Sequence, residues 1–351
     1  MPKGMFSQGA MVLTGGPLAD DAIAAALAPF EVAKHKPAEA HPGWMGGHAT
    51  WVVVMRREVN GLVLVEMVDA PWPDHMGDPK APGGMSDPMG DAMLFGAWSM
   101  GFLGPHTFPG NLARARQVAE MTGQDFLSEA AGSHRAFVRI RSSYVMGSED
   151  DAKILPEDYD PRAELEFVTR VARAIAGVDG ALCYFNPGGE TLFTPSGMDE
   201  MTASCAAEGV PALPVWSCGR LVRLESVPGD WMLADVLGME QLMAQDHEAV
   251  FQPGRFDPNE VIRFLRNIAN YTLDNGPVIK TGETTDGPGG LWRVAEMEES
   301  LMPAPRATMR WYADDGPRPP AKLLGGASPA SASPTKPRGG IAGRLKSLFG
   351  R

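Results

Sequence analysis

The densest concentration of chemically capable side chains is "PWPDHMGDPKAPGGMSDPMGDAM", residues 71–93. Asp74, His75 and Asp78 fall within five positions, and Asp87 and Asp91 follow in the same stretch. Carboxylates beside an imidazole are the groups that hold a divalent metal or trade a proton with a substrate. A further histidine, His106, sits in the aromatic and glycine-rich phrase "FGAWSMGFLGPHTFPG", where it would stand at the mouth of a pocket. Asp74, His75, Asp78 and His106 are therefore the candidate catalytic set. Against this stands the setting: short Asp residues beside Pro and Gly are also turn formers, and that reading is preferred.

Other chemistry is weaker. Met76, Met85, Met89 and Met93 offer soft sulfur of the kind that suits Cu(I), but 21 methionines are scattered through the chain, and adaptable packing explains them better. His41 and His48 flank the glycines of "HPGWMGGHA" without the spacing of a helical metal pair. The three cysteines, Cys183, Cys205 and Cys218, form no C-x-x-C pair and read as buried free thiols. There is no P-loop, dinucleotide fingerprint, H-E-x-x-H or G-x-S-x-G elbow. The expectation is no metal and no cofactor, and the reading leans away from an enzyme.

These residues must be positioned by regular elements. "GAMVLTGG" reads as a first strand, followed by a helix in "LADDAIAAALAPF" with Asp20 and Asp21 at its positive end. "ATWVVVMRREVNGLVLVEMVDA" reads as a hairpin turning at Asn60-Gly61. "NLARARQVAEM" has helical composition and "HRAFVRIRSSYVM" strand composition. Asp160-Pro161 opens a helix whose buried stripe is Leu165, Val168, Val171, Ala172 and Ile175. "GALCYF" and "ETLF" bracket a second hairpin at residues 186–189. Short strands follow in "ALPVWSCGRLVRLES", "HEAVF", "GLWRV" and "RATMRWYA". Between them lies a well-specified helix: Asp257 cap, Pro258 in the first turn, Glu260 as the partner of a capping box, and Val261, Phe264, Leu265 and Ile268 as its stripe.

Strands outnumber helices and the hairpins are local. The expected class is α+β, with mainly antiparallel sheets and helices packed on one face. Strand, helix and hairpin recur once in each half, so two similar βαββ-type halves are an option. The expected domains are 1–150 and 151–315, joined through the acidic "MGSEDDAKILPEDYD". Residues 316–338 are too poor in large apolar side chains to bury a core and read as a disordered tether. Residues 339–351, "GGIAGRLKSLFGR", form a basic amphipathic tail.

Charge divides the chain in the same place. The net is −12 over 351 residues, but from Lys322 onward there are six Lys or Arg and no acid, leaving 25 basic against 43 acidic residues before it. Such a body repels nucleic acid and anionic membrane. In the tail, Ile341, Leu345, Leu348 and Phe349 share a helical face, with Arg344, Lys346 and Arg351 away from its centre. Ile341, Arg344, Leu345, Lys346, Leu348 and Phe349 are the candidate partner-binding residues, docking to another protein or weakly to an anionic membrane surface. With no apolar run long enough for a leader or a bilayer span, a cytoplasmic location is expected.

Several phrases carry a family likeness. "DAPWPDHMGDP", "AWSMGFLGPHTFPGNLARARQ", "HRAFVRIRSSYV", "LEFVTRVARAIAGVDGALCYF", "LADVLGMEQLMAQDHEAVF" and "NEVIRFLRNIANYTLDNGPVIKTGETTDG" resemble a bacterial family catalogued as domain of unknown function 4261. The likeness spans most of the chain before Asp315 and carries no catalytic residue with it. "LGM…HEAVF" also looks distantly similar to small domains of bacterial toxin-immunity proteins. Together these imply a protein-binding or adaptor module, in a toxin-immunity or secretion setting. The competing classes are an acid–base or metal enzyme at Asp74, His75 and Asp78, and a peripheral membrane protein.

Overall fold

A computed structural model describes residues 4–84, 86–148, 153–303 and 306–325. It divides into two compact units, Met1–Ser217 and Cys218–Arg351. The division falls at residue 217, not near 150 as the acidic stretch suggests. The reason lies in strand pairing: the hairpin after residue 180 joins the sheet begun at residue 9.

The first unit runs β1 (Gly9–Thr14), α1 (Asp20–Ala26), β2 (Val32–Lys36), β3 (Ala49–Arg56), β4 (Gly61–Val68), α2 (Asp91–Ser99), α3 (Asn111–Met121), α4 (Asp125–Gly132) and β5 (Ala136–Ser143). It continues through α5 (Pro161–Ala176), β6 (Ala181–Asn186), β7 (Thr191–Phe193), α6 (Pro195–Glu208) and α7 (Leu213–Trp216). The strands form one antiparallel sheet in the order β2-β3-β4-β5-β1-β6-β7. Successive side chains of a strand point to opposite faces. Met11, Leu13, Phe137, Cys183 and Phe185 meet α2, α3 and α4 on one face. The opposite face carries Val12 and Tyr184, and there Trp216 donates to Thr169 of α5 at 2.8 Å. Helices thus cover both faces of this sheet, which corrects the one-face expectation. The central strands explain it: every residue of β1 and β5 is buried, so both faces need cover.

Local signals mostly hold. Asp160 caps α5 by accepting from the amides of Arg162 and Ala163, both at 3.0 Å. The β3–β4 turn differs in detail. Residues 57–59 make a 3₁₀ turn, and Asn60 alone takes the left-handed conformation (φ 54°). Gly61 is required for space instead: a Cβ there would lie 3.0 Å from the Tyr144 ring. The phrase "ALPVW" is the short helix α7 rather than strand.

The second unit runs β8 (Cys218–Leu224), β9 (Trp231–Leu237), β10 (Asp246–Phe251), α8 (Pro258–Asn275), β11 (Thr284–Gly287), β12 (Gly290–Met297) and β13 (Thr308–Ala313). Its sheet order is β11-β12-β13-β10-β9-β8, antiparallel except for the β10–β13 pair. Asp257 caps α8 through the Asn259 amide at 2.9 Å. The Glu260 carboxylate turns instead to Arg263 at 3.5 Å. Val261, Phe264, Leu265 and Ile268 seat α8 on Ala249, Phe251, Trp292 and Trp311. One face therefore carries the helix, as expected.

The other face is covered by chain without α-helix, and part of it comes from the expected tether. Residues 321–324 form a 3₁₀ turn, with Leu323 packed against Val227, Trp231, Leu233 and Val250. Residues 316–325 are thus folded onto the sheet rather than disordered. Two leucines suffice, because their burial removes enough apolar surface to hold a short segment in place. The remaining linker and the tail residues Ile341, Arg344, Leu345, Lys346, Leu348 and Phe349 lie outside the described residues.

Candidate functional site

The loop that looked most chemical serves helix α3. Asp74 accepts from the amides of Leu112 (3.1 Å) and Ala113 (2.7 Å), so it caps α3 from 38 residues away. The Asp74 carbonyl also takes the Gly110 amide at 3.1 Å. Asp78 makes the turn expected of it, accepting from the Lys80 amide at 2.8 Å. His75 is exposed; its ring accepts from the Gly77 amide, and its carbonyl takes the Trp98 indole at 2.9 Å. His106 is half-buried with left-handed backbone (φ 56°). Asp87 and Asp91 are exposed, and Asp91 lies in the first turn of α2. No group of three or more metal-ligating side chains occurs among the described residues. Met89 and Met93 pack against the first core, as adaptable filler would.

What the loop mounts is a helical corner. Leu112, Ala115 and Ala119 of α3, with Leu127 and Ala131 of α4, are sunk in the core. Arg116 reaches from α3 to the carbonyl and hydroxyl of Ser128 at 3.0 and 3.2 Å, and Ser128 donates to Glu120 at 2.6 Å. Arg114 is held by the buried Glu190 at 2.5 Å. Helix α3 is therefore held at its start by Asp74 and Glu190 and tied to α4 through Arg116 and Ser128. The outer side of the corner is different: residues 120–126 are all exposed, with Met121 at 55% and Phe126 at 58%. Glu120, Asp125 and Glu129 are exposed beside them, and residues 117–134 contain no Lys or Arg. Two large apolar groups stand here in an acidic rim.

Two buried ionic clusters escaped sequence reasoning. In the first unit, Glu66 on β4 receives Arg139 at 3.1 Å and also Arg141, both from β5. Burial would raise the Glu66 carboxyl, but the two guanidiniums overcome it and hold it at about 2. Phe6 lies under the Arg141 guanidinium at 3.8 Å. Trp44 and Phe102 carbonyls accept from Arg139 at 2.8 and 3.1 Å, so the "HPGWMGGHA" and "GFLGPH" loops are tied down by the same cation. His48 in the first of these loops is pushed down to about 4, by burial first and then by Arg139.

In the second unit, the register aligns Arg220, Asp235, Glu248 and Arg310 across four strands, on the face away from α8. Arg220 donates to Asp235 at 3.0 Å, and Arg310 to Glu248 at 2.7 Å. Arg306 bridges Asp235 (2.6 Å) and Asp246 (2.5 Å), while Ser300 donates to Glu248 at 2.9 Å. Asp246 also accepts the Gly238 and Met239 amides at 3.0 and 2.8 Å. Burial pushes its carboxyl up to about 6, against the pull of Arg306. The signal was present as alternation in "DHEAVF" and "TMRWYA", which puts each charge on one face. The pairing between strands 62 residues apart was not visible.

The three cysteines are buried free thiols, and burial pushes Cys183 up to about 12. No helix among the described residues is long and apolar enough to cross a membrane. Comparison with curated proteins and with solved structures finds no match. A family model does match, over residues 235–312, which contain Asp235, Asp246, Glu248, Arg306 and Arg310 but none of the first-unit phrases. Within the second unit, residues 235–312 thus match the model of a domain of unknown function, DUF4261.

Proposed function

We propose that the protein is a partner-binding, adaptor-type module whose first unit receives a basic amphipathic segment of another protein at the α3–α4 corner. The observation that carries this reading is the exposure of Met121 and Phe126 beside Glu120, Asp125 and Glu129, on a turn braced by the Arg116–Ser128–Glu120 bonds. Apolar anchors on a rigid support bind with little ordering cost. Carboxylates around them favour a partner carrying Lys or Arg and speed its encounter. The terminal peptide, residues 339–351, is read as a second contact element, and a toxin-immunity or secretion setting fits a module of this kind.

Hydrogen exchange on the full chain tests the site. A synthetic basic amphipathic helix added in excess is expected to slow exchange in residues 117–134 and leave β10 unchanged. Protection elsewhere with none at 117–134 would remove the site from the proposal. An acidic amphipathic peptide of equal length is expected to give no protection.

A further inference from the structure

The first unit has an open cleft of ≈ 580 Å³, lined by Val59, Tyr144, Lys153, Pro156, Glu157 and Asp158. Its volume is in the range that accepts small molecules. Immediately behind it lies Glu164, only 3% exposed. Four hydroxyls converge on the Glu164 carboxylate: Ser7, Ser142, Tyr144 and Tyr159. Those of Ser7 and Tyr144 lie at 2.5 and 3.4 Å. None of the four carries a charge, so the carboxylate is solvated by dipoles but not neutralised.

Tyr144 connects this group to the cleft. Its hydroxyl donates inward to Glu164 and receives Arg56 from the rim, and its ring meets Tyr159 edge-on at 6.1 Å. On the rim, Arg56 is engaged by Glu58 (3.0 Å) and Asp158 (2.6 Å), and Lys153 by Glu157 (2.8 Å). Gln8 supports the far side by donating to the Tyr159 hydroxyl at 3.4 Å. On the rim, Arg56 and Lys153 thus stand against Glu58, Glu157 and Asp158, an excess of one acid, with the titratable Glu164 behind them.

We infer that this cleft is a binding site for a small organic cation, a primary amine or guanidinium, held at the rim by Glu157 and Asp158, with Glu164 behind the Tyr144 hydroxyl as a buried counter-charge. A cation there meets the rim carboxylates directly and feels the Glu164 carboxyl through the buried Tyr144 hydroxyl. Burial raises the Glu164 carboxyl above its ordinary value, so a bound cation draws that group into its ionised form and expels a proton. Affinity therefore rises with pH through the Glu164 titration. The inference is independent of the α3–α4 corner.

Isothermal titration of the full chain with 1,4-diaminobutane and with butylguanidinium tests it, with n-butanol as neutral control. Saturable binding of either cation is expected, with a heat that changes with the buffer's ionisation enthalpy because a proton is released. Glu164→Gln should weaken binding by about tenfold or more and abolish its pH dependence, since one unit charge is removed. Tyr144→Phe, which removes only a hydroxyl, should weaken it less and serves as the probe if Glu164→Gln does not fold. Absence of saturable binding by both cations would overturn the site, as would equal binding of n-butanol. Wild-type affinity in a folded Glu164→Gln chain, or in Tyr144→Phe where that chain does not fold, would do the same.

Discussion

Glu164 is held in the fold as an acid whose proton is bound more tightly than in the unfolded chain. Burial is the cause, and the four hydroxyls offset it only in part. The sign follows from linkage. Its contribution to stability is intact below the ordinary carboxyl value of 4.5 and is lost as pH climbs through the raised folded value. Glu164→Gln removes the titration while keeping the shape, so the melting temperature should rise at pH 8 and change little at pH 4. Thermal unfolding followed by circular dichroism across that range checks it; an equal effect at both ends would show that the group does not titrate in the fold. Single residues differed in how far the sequence exposed their roles. Asp160 and Asp257 stand next to the helices they cap, so adjacency revealed them. Asp74 lies near His75 and Asp78 in the chain, but the amides it serves belong to Leu112 and Ala113, so adjacency could not reveal its role.

The elements were legible wherever a pattern was local. Helix α8 came from its cap and stripe, and the β3–β4 hairpin from one dipeptide. The sheet face opposite α8 was hidden, because Glu248 and Arg310 are matched only once β10 and β13 lie side by side. That pair is expected to fix strand register rather than supply net stability, since burying charges costs nearly what pairing returns. Arg310→Met alone leaves Glu248 without its cation and should cost about 3–5 kcal/mol in denaturant unfolding. Adding Glu248→Leu should recover most of that loss. A double variant no more stable than the single one would mean that the strands need the ion pair itself.

Across the whole molecule, composition gave the correct class and misplaced two boundaries. Residues 181–186 return to pair with β1 across a long separation and bring β7 with them, which no local signal records. Residues 316–325 read as tether because Pro and Gly dominate, yet Leu323 and Leu324 are enough to fasten them. Truncation after Asp315 should therefore destabilise the second unit by about 3–5 kcal/mol, the burial of two leucines, whereas truncation after Gly325 should leave it unchanged. Equal stability of both truncations would return the segment to tether. In the proposed reading, the acidic excess before Lys322 sets the preference in partners, and the α3–α4 corner is where exposed apolar groups and acidic side chains coincide. The most direct measurement is fluorescence anisotropy of a labelled synthetic basic amphipathic peptide, titrated with the full chain and with its Phe126→Asp variant. The account predicts saturable, salt-sensitive binding that weakens by about tenfold or more in the variant, the loss expected for one anchor residue. Equal affinity for the two proteins, or no binding to either, would contradict it.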